Sequence, residues 1–414
     1  MIHYTTFTLD NGLRFYVHTD TDTPMVAFNL LYNVGSRDEE PERTGFAHLF
    51  EHLMFGGSAN VPDFDAPLQL AGGESNAFTN NDITNYYELL PAQNLETAFW
   101  LESDRMRALN IDAEVLDTQQ KVVVEEFKET CLNQPYGDTW HHLSDLVYKK
   151  HPYRWPTIGL VPEHVEEAQL QDVRSFFEKY YCPSNAIIVV AGNVAENDVR
   201  KLAERYFADI PAGPVYQRRL PAEPPQTEAR RREVYGNAPL PALYIAFHMS
   251  DRLAPEYYAA DLLSDLLGNG PSSRLYRRLL KERRLFTAID CYLTGSFEPG
   301  LLIVEGKPSA GITLEVAEQA IWEELEQIME EAVEAEELEK VINKAESALV
   351  FSEYNVLNKA INLAGFAALG VPERINQEAN LYQEQTPASI LAAARRIFRR
   401  ENSSVLYYRP NEVD

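Results

Sequence analysis

The chain has 414 residues, with 63 acidic and 37 basic side chains and a formal net charge of −26 at pH 7. This length suits two domains, because a single domain usually has roughly 100–200 residues. The negative charge repels nucleic acids and anionic membrane surfaces, so neither is an expected partner. Solubility alone also explains such a charge, which therefore does not identify a ligand.

The cysteines and the N-terminus bear on the compartment. Cys131, Cys182 and Cys291 are few and widely spaced, which indicates a reducing environment and argues against a disulfide framework or a thiolate zinc site. The N-terminal stretch MIHYTTFTLDNGLRFYV lacks the pattern of a signal peptide and predicts a strand. No stretch approaches the roughly 20 apolar residues that span a bilayer. We therefore expect a cytoplasmic location.

In chain order, the first half alternates strands and helices. Residues 13–18 and 25–32 are rich in β-formers, and the polar segment TDTDTP between them suits a hairpin-like connection. Apolar periodicity predicts the helices that follow, and a continuous apolar run predicts a buried strand. These elements are helices over 42–55, 93–108 and 113–131 and a strand over 186–192.

A proline-rich segment separates the two halves. Residues 211–225 hold five of the chain's 24 prolines, which remove backbone donors and favour an extended chain. We therefore predict a domain over 1–210, a linker over 211–235 and a second domain over 236–414. The elements predicted in the second domain are a strand over 241–249, a helix over 255–270 and acidic helices over 313–332 and 335–352.

The two halves show signs of duplication. Residues 47–54 align with residues 260–267 without a gap, and in both copies a strand precedes the helix and a glycine-containing stop follows it. Amphipathic helices resemble each other by chance, so the matching order of elements carries the argument. The sequence predicts an α+β fold of two structurally similar domains. In the second copy, Asp261, Ser264 and Asp265 replace His48, Glu51 and His52.

The segment GFAHLFEHLMFGG carries the strongest chemical signal. On a helix, His48 and His52 lie one turn apart, so both imidazoles can face one ion. Glu51 lies beside them and could act as a general base on a water molecule at that ion. The order H-x-x-E-H is the inverted zinc-protease signature. The alternative is a chance pair of histidines on one helix face, so a third ligand is needed to decide.

A catalytic zinc takes three protein ligands, and a run of three valines ends at two candidate carboxylates, Glu125 and Glu126. Of these we predict Glu126 as the ligand. Gln119 lies seven residues before it, hence on the same helix face, and we predict Gln119 and Glu125 as outer neighbours of the metal site. Glu129, one turn beyond Glu126, is the competing ligand.

Further segments accompany the histidine motif at 72–87, 122–137, 151–159 and 180–194. With them the chain resembles the M16 metallopeptidases (pitrilysin, insulin-degrading enzyme, mitochondrial processing peptidase), most closely the short bacterial members, over essentially its whole length. The resemblance implies two α+β domains that form half of a clamshell chamber. It also implies Glu126 as the metal ligand. The family usually has a glutamate where this chain has Gln119, a departure that could weaken the surroundings of the site without removing a ligand.

The resemblance also implies a peptide-binding strand. Ser75, Asn76, Ala77 and Phe78 match the edge strand of the family, to which a substrate adds as a further strand through main-chain hydrogen bonds. The alternative interpretation takes Asn76 as a turn residue and Phe78 as a core aromatic.

The second half departs from the family at two positions. Members usually have an arginine and, seven residues later, a tyrosine that reach substrate at the zinc; here Leu280 and Thr287 stand instead. The sequence therefore predicts a homodimer, or a heterodimer with a related subunit that carries the Arg/Tyr pair. The rival is a self-sufficient chain that uses Arg283, Arg284 or Tyr292.

The resulting hypothesis is a zinc-dependent endopeptidase subunit with one Zn²⁺ per chain, acting on peptides or small unfolded proteins. Its first alternative is a non-catalytic scaffold or assembly subunit, for which the intact set of His48, Glu51, His52 and Glu126 has no use. A second alternative, a metal-dependent hydrolase of a non-peptide substrate, is disfavoured by the strand-like substrate segment.

Overall fold

The computed structural model describes residues 1–411 and has a mixed α+β fold, as predicted. Its strands are β1 (Thr5–Thr8), β2 (Arg14–Thr19), β3 (Met25–Tyr32), β4 (Glu74–Thr79), β5 (Thr84–Pro91), β6 (Ala186–Gly192), β7 (Arg230–Gly236), β8 (Ala242–His248), β9 (Phe286–Leu293), β10 (Leu301–Pro308) and β11 (Ser403–Pro410). Its helices are α1 (Phe46–Met54), α2 (Asp65–Leu70), α3 (Leu95–Arg107), α4 (Ala113–Phe127), α5 (Thr139–Val147), α6 (Glu163–Glu166), α7 (Leu170–Tyr180), α8 (Glu196–Phe207), α9 (Tyr257–Leu267), α10 (Leu314–Glu330), α11 (Ala335–Ser352), α12 (Val356–Ala368), α13 (Glu378–Gln383) and α14 (Pro387–Ile397).

The two sheets repeat one topology. The first sheet has the order β1-β2-β6-β3-β5-β4 and the second has the order β7-β11-β8-β10-β9. In each, the first strand of the repeat pairs in parallel (β2 with β6, β7 with β11) and the remaining pairs are antiparallel. The aligned segments 47–54 and 260–267 lie on α1 and α9, the helices that follow β3 and β8. The prediction of two structurally similar domains is confirmed.

The compact units of the fold are interleaved along the chain. One unit comprises residues 1–127, 156–220 and 350–377, and the other comprises 128–155, 221–349 and the residues from 378 onward. The cause is two helices that leave their own half of the sequence: α12 packs on β3 and β6, and α5 packs on β7, β8 and β11. The predicted division into 1–210, 211–235 and 236–414 is linear and does not contain these two exchanges.

The proline-rich segment 211–235 is shared between the units and anchored in both. In the first unit, the guanidinium of Arg218 donates to both carboxylate oxygens of Asp38, at 2.8 and 2.9 Å. In the second unit, the carboxylate of Glu223 accepts hydrogen bonds from three consecutive backbone amides, of residues 149–151, at 2.8–2.9 Å. These contacts fix the segment on the surface of each unit.

The first core contains a buried charged cluster between β5 and α3. Glu88 of β5 and Glu102 of α3 both face Arg105, whose guanidinium carbon lies 4.4 Å from the ring centre of Tyr86. Burial and the Glu102 carboxylate raise the pKa of Glu88 well above its ordinary value.

Along residues 1–411, no helix combines the length and the apolar character that a membrane crossing requires.

Candidate metal centre

Helix α1 carries the histidine motif on its less buried face. Its apolar residues pack into the first core, and Phe50 stacks on Tyr181 with ring centres 4.9 Å apart. Gly45 precedes the helix with φ +89°, and a side chain there would meet the Ile158 carbonyl at 2.8 Å, so only glycine fits. This packing orients His48 and His52, whose rings meet edge to face at 4.8 Å.

Helix α4 supplies the third group. Its buried face consists of apolar residues, and Glu126 stands beside that face with a side chain that is 39% exposed. The helix continues into a π-helical stretch, Lys128–Asn133, so the predicted helix over 113–131 is an α-helix followed by a π-turn. Packing of α4 against α1 brings the Glu126 carboxylate to the two imidazoles.

The three side chains form a triangle of ligand atoms. Nε2 of His48 and Nε2 of His52 lie 3.3 Å apart, and Oε2 of Glu126 lies 3.7 Å from the first and 3.2 Å from the second. Ligand atoms held about 2.0–2.1 Å from a tetrahedral zinc are about 3.3–3.4 Å apart. The residues therefore fit a zinc ion, and they could hold one with a fourth position left open.

The protonation states suit a metal ligand set. Burial lowers the pKa of His48, with the nearby Glu126 carboxylate opposing that effect. The hydrogen bond with His52 lowers the pKa of Glu126. Metals bind neutral imidazole and ionised carboxylate, so both directions favour the binding forms.

The remaining predicted groups lie around this triangle. Glu51 is half-buried on α1, and its carboxylate is close enough to act on the pKa of His48. Gln119 is half-buried on α4, whereas Glu125 is exposed beside Glu126. Within residues 1–411, the group of His48, His52 and Glu126 does not extend to Glu125 or Glu129. The outer roles predicted for Gln119 and Glu125 stay predictions.

The segment from Ser75 to Phe78 lies on β4, the edge strand of the first sheet. The backbone N–H of Ala77 donates to Oδ1 of Asn76 at 2.8 Å and so points away from the ladder with β5. Opposite Ala77 is Tyr86, whose hydroxyl donates to the carbonyl of Phe50 in α1 at 3.4 Å. The edge strand is thus linked to the helix that carries the histidines. Asn76 is a strand residue and not a turn residue.

Leu280 and Thr287 come together in the second unit. They line one cavity of about 380 Å³, together with Asp290, Glu305 and Lys307. The Thr287 hydroxyl donates to the carbonyl of Lys307 at 3.1 Å, and Leu280 packs against the second core. Side chains seven residues apart thus share one surface.

Sequence reasoning missed one group at the start of α1. The buried carboxylate of Glu39 accepts hydrogen bonds from the backbone N–H of Gly45 at 3.0 Å and of Ala47 at 2.8 Å. An N-cap residue normally lies immediately before its helix, whereas Glu39 lies in a separate turn several residues earlier in the chain. The signal available was an acidic run, SRDEE, ahead of the motif.

The two-sheet fold and the His, His, Glu group are those of a two-domain, metallopeptidase-like protein. A sequence model described as insulinase (peptidase family M16) matches residues 14–159, and one described as the peptidase M16 inactive domain matches residues 167–345. The chain belongs to peptidase family M16 and is of its short bacterial type. The word "inactive" fits the second copy, where Asp261, Ser264 and Asp265 stand in place of the motif.

Individual relatives agree with this assignment. The chain is 26% identical to a protein of Helicobacter pylori named zinc protease PqqE, over 97% of this chain and 92% of that protein. It superposes on the crystal structure of a protease from Helicobacter pylori with a TM-score of 0.93 and 25% identity, over 99% of this chain and 100% of that chain. A probable mitochondrial-processing peptidase subunit beta of Arabidopsis thaliana is 23% identical, over 63% of this chain and 50% of that protein. Relatives named as zinc proteases support a peptidase-like role.

Proposed function

We propose that the protein is a zinc-dependent endopeptidase subunit, with His48, His52 and Glu126 as the metal ligands and Glu51 as the general base. The observation that carries the proposal is the triangle of two imidazole nitrogens and one carboxylate oxygen, with sides of 3.2, 3.3 and 3.7 Å. The names of the relatives supply zinc as the expected metal.

The chemistry divides between the ion and the chain. A bound zinc ion supplies Lewis acidity, which lowers the pKa of water to about 7. Glu51 accepts the proton of the attacking water and passes it to the amine that leaves the scissile peptide bond. His48, His52 and Glu126 would hold the ion, which leaves Glu51 as the group that moves protons.

Substrate binding is assigned to β4. Its outer edge offers the N–H of Ala77 to the carbonyl of an extended peptide, after the Oδ1 of Asn76 has turned away. Main-chain pairing of this kind is indifferent to side chains, which suits peptides or unfolded proteins as substrates. The half-buried ring of Phe78 would lie beneath such a peptide.

A partner subunit belongs to the proposal. Leu280 and Thr287 can supply neither the cation nor the phenol of the family's Arg/Tyr pair. A second copy of the chain carries the same two residues, so a related subunit would have to provide the pair. The name of the Arabidopsis relative, a subunit beta, is consistent with a multi-subunit enzyme. A cytoplasmic location stays a prediction.

The second candidate is a non-catalytic assembly subunit of the same family. Leu280 and Thr287 favour this candidate, because a chain whose second half lacks the Arg/Tyr pair could have lost peptidase activity. The metal group argues against it, since a scaffold has no need of Glu51 beside two histidines and a carboxylate.

Metal content and peptide cleavage test the proposal together. We expect one zinc per chain in the purified protein, lost in His48→Ala. We also expect cleavage of quenched peptides, weak for the lone chain and stronger with a related partner, that a chelator abolishes and zinc restores. His142→Ala is the matched control, because this histidine lies on α5 in the second unit, outside the group of candidate ligands. Stoichiometric zinc without cleavage, alone or with a related partner, would favour the assembly subunit; absence of zinc binding would refute the metal site.

A further inference from the structure

We propose that the turn Ser36–Glu39 is a positioning element that sets the edge strand β4 and the motif helix α1 relative to each other. This turn consists of the 3₁₀ segment Ser36–Asp38 and the next residue, Glu39. All four residues are buried, and all four side chains are polar. Burying consecutive polar side chains is costly unless each finds a partner. Here the partners lie on three separate parts of the first unit.

Glu39 holds the start of α1. Its two carboxylate oxygens accept from the N–H groups of Gly45 and Ala47, which are among the donors that a helix leaves unsatisfied at its first turn. The negative charge also lies at the positive end of the helix dipole. His48 follows one residue after Ala47, so the position of this end fixes where the imidazoles stand.

Arg37 holds the turn between β4 and β5. Its guanidinium lies 2.6 Å from the Asp82 carboxylate, and both side chains are only 3% exposed. The backbone N–H groups of Ser36 and Arg37 donate to the carbonyls of Asn80 and Asn81 at 3.2 and 3.0 Å. The side-chain amide of Asn81 adds a hydrogen bond to the Ser36 hydroxyl at 2.9 Å. The end of the edge strand is thereby attached to the same turn as α1.

Asp38 holds the segment that leaves the first unit. It accepts from Arg218 through both oxygens and from the hydroxyl of Tyr216 at 3.1 Å. Arg218 also donates to the backbone carbonyl of Asn33 at 2.9 Å. The segment around residue 218 therefore closes over the turn and restrains it from outside.

The consequence concerns two separate parts of the proposed active site, and it rests on the proposed function for its kinetic part. Weakening Glu39 loosens the metal helix, whereas weakening the Arg37–Asp82 pair loosens the strand on which a peptide would pair. A turn that merely stabilises the fold would instead lower the folded fraction in both cases and leave the folded molecules unchanged.

The experiment compares Glu39→Gln with Asp82→Asn. For Glu39→Gln we expect a zinc affinity about 10-fold weaker, measured by competition with a chelator, faster amide hydrogen exchange in α1, and an unchanged KM. For Asp82→Asn we expect a KM about 10-fold higher, faster exchange in β4 and β5, and an unchanged zinc affinity. The double variant Arg37→Met/Asp82→Leu removes the pair without leaving a buried charge, should Asp82→Asn fold poorly.

Exposed carboxylates provide the matched controls, Glu40→Gln for Glu39 and Asp22→Asn for Asp82. Faster amide exchange confined to α1 in Glu39→Gln and to β4 and β5 in Asp82→Asn would support the positioning role. This holds even if the wild-type protein cleaves no peptide, because the absence of cleavage would count only against the proposed function. Uniform changes in both variants, or exchange like that of the controls, would overturn the positioning role whatever the activity.

Discussion

Nε2 of His52 in α1 lies 3.2 Å from Oε2 of Glu126 in α4. The two residues are distant in sequence, and each helix buries its apolar face in the same core while turning one polar group toward the other. The core thus holds the two helices at a separation at which these side chains could share one metal ion.

Glu51→Gln should keep zinc and lose peptidase activity by about 10²–10⁴-fold, because the general base acts on water and is not a ligand. Metal analysis combined with turnover of a quenched peptide measures both quantities. A fully active variant with normal zinc content would remove Glu51 from the mechanism.

Glu126→Gln should lose far more zinc affinity than Glu125→Gln or Glu129→Gln. The Glu126 carboxylate lies 3.7 and 3.2 Å from the two imidazole nitrogens, and among residues 1–411 it is the carboxylate that groups with both histidines. The amide of glutamine is a weaker ligand than a carboxylate. Zinc retention in the three variants against one chelator decides between them. If Glu129→Gln emptied the site, the ligand would lie one helical turn further along.

The single purified chain should bind zinc but cleave peptides poorly, and it should gain activity with a related partner. Leu280 and Thr287 line a cavity that also contains Asp290 and Glu305. Leu280 has no donor for a developing oxyanion, and the hydroxyl of Thr287 is neutral and already donates to the carbonyl of Lys307 at 3.1 Å. The loss of one such donor costs about 10²–10³ in rate.

Restoring the missing pair tests that prediction directly. Leu280→Arg together with Thr287→Tyr should raise the activity of the lone chain toward a mixed peptide library, with each single variant as the control. High activity of the unmodified chain, unaltered by the double substitution, would show that it completes its own site, for example with Arg283, Arg284 or Tyr292.

Glu88→Gln should change how thermal stability depends on pH. The folded state raises the pKa of Glu88 above its ordinary value of 4.5, so above that pH the folded chain holds a proton that the unfolded chain has released. The wild-type protein therefore loses stability relative to the variant as pH rises above about 4.5. Melting temperatures of both proteins from pH 4.5 to 7.5 should diverge in favour of Glu88→Gln. Parallel curves would contradict the shift.

The elements with strong periodicity were predictable. Strands β3 and β6 have the predicted bounds, 25–32 and 186–192, because both are mostly apolar runs that are buried on both faces, with Asn29 as the polar residue of β3. Helix α1 is shorter than the predicted 42–55, since Gly45 turns the chain just before it. The prediction of two similar domains is also confirmed, because the order of strands and helices along the chain can be predicted from the sequence.

Long-range polar contacts were not predictable in the same way. Glu39 caps a helix from outside the local sequence, and Arg218 reaches Asp38 from the segment predicted as a proline-rich linker. The packing of α5 and α12 on the sheet formed by the other half of the chain is also not visible in their local sequence. Each depends on which surfaces meet after folding.

The sequence by itself determined the chemistry available: two histidines one turn apart, a glutamate between them, and acidic candidates on a second helix. It did so because side-chain identity and helical spacing are local properties. Only the tertiary structure decided that Glu126 meets the histidines, that Ser75–Phe78 lies at a sheet edge, and that a buried polar turn joins that edge to α1. Those relationships arise when distant apolar faces share one core, and a core brings residues together by surface complementarity and not by their order in the chain.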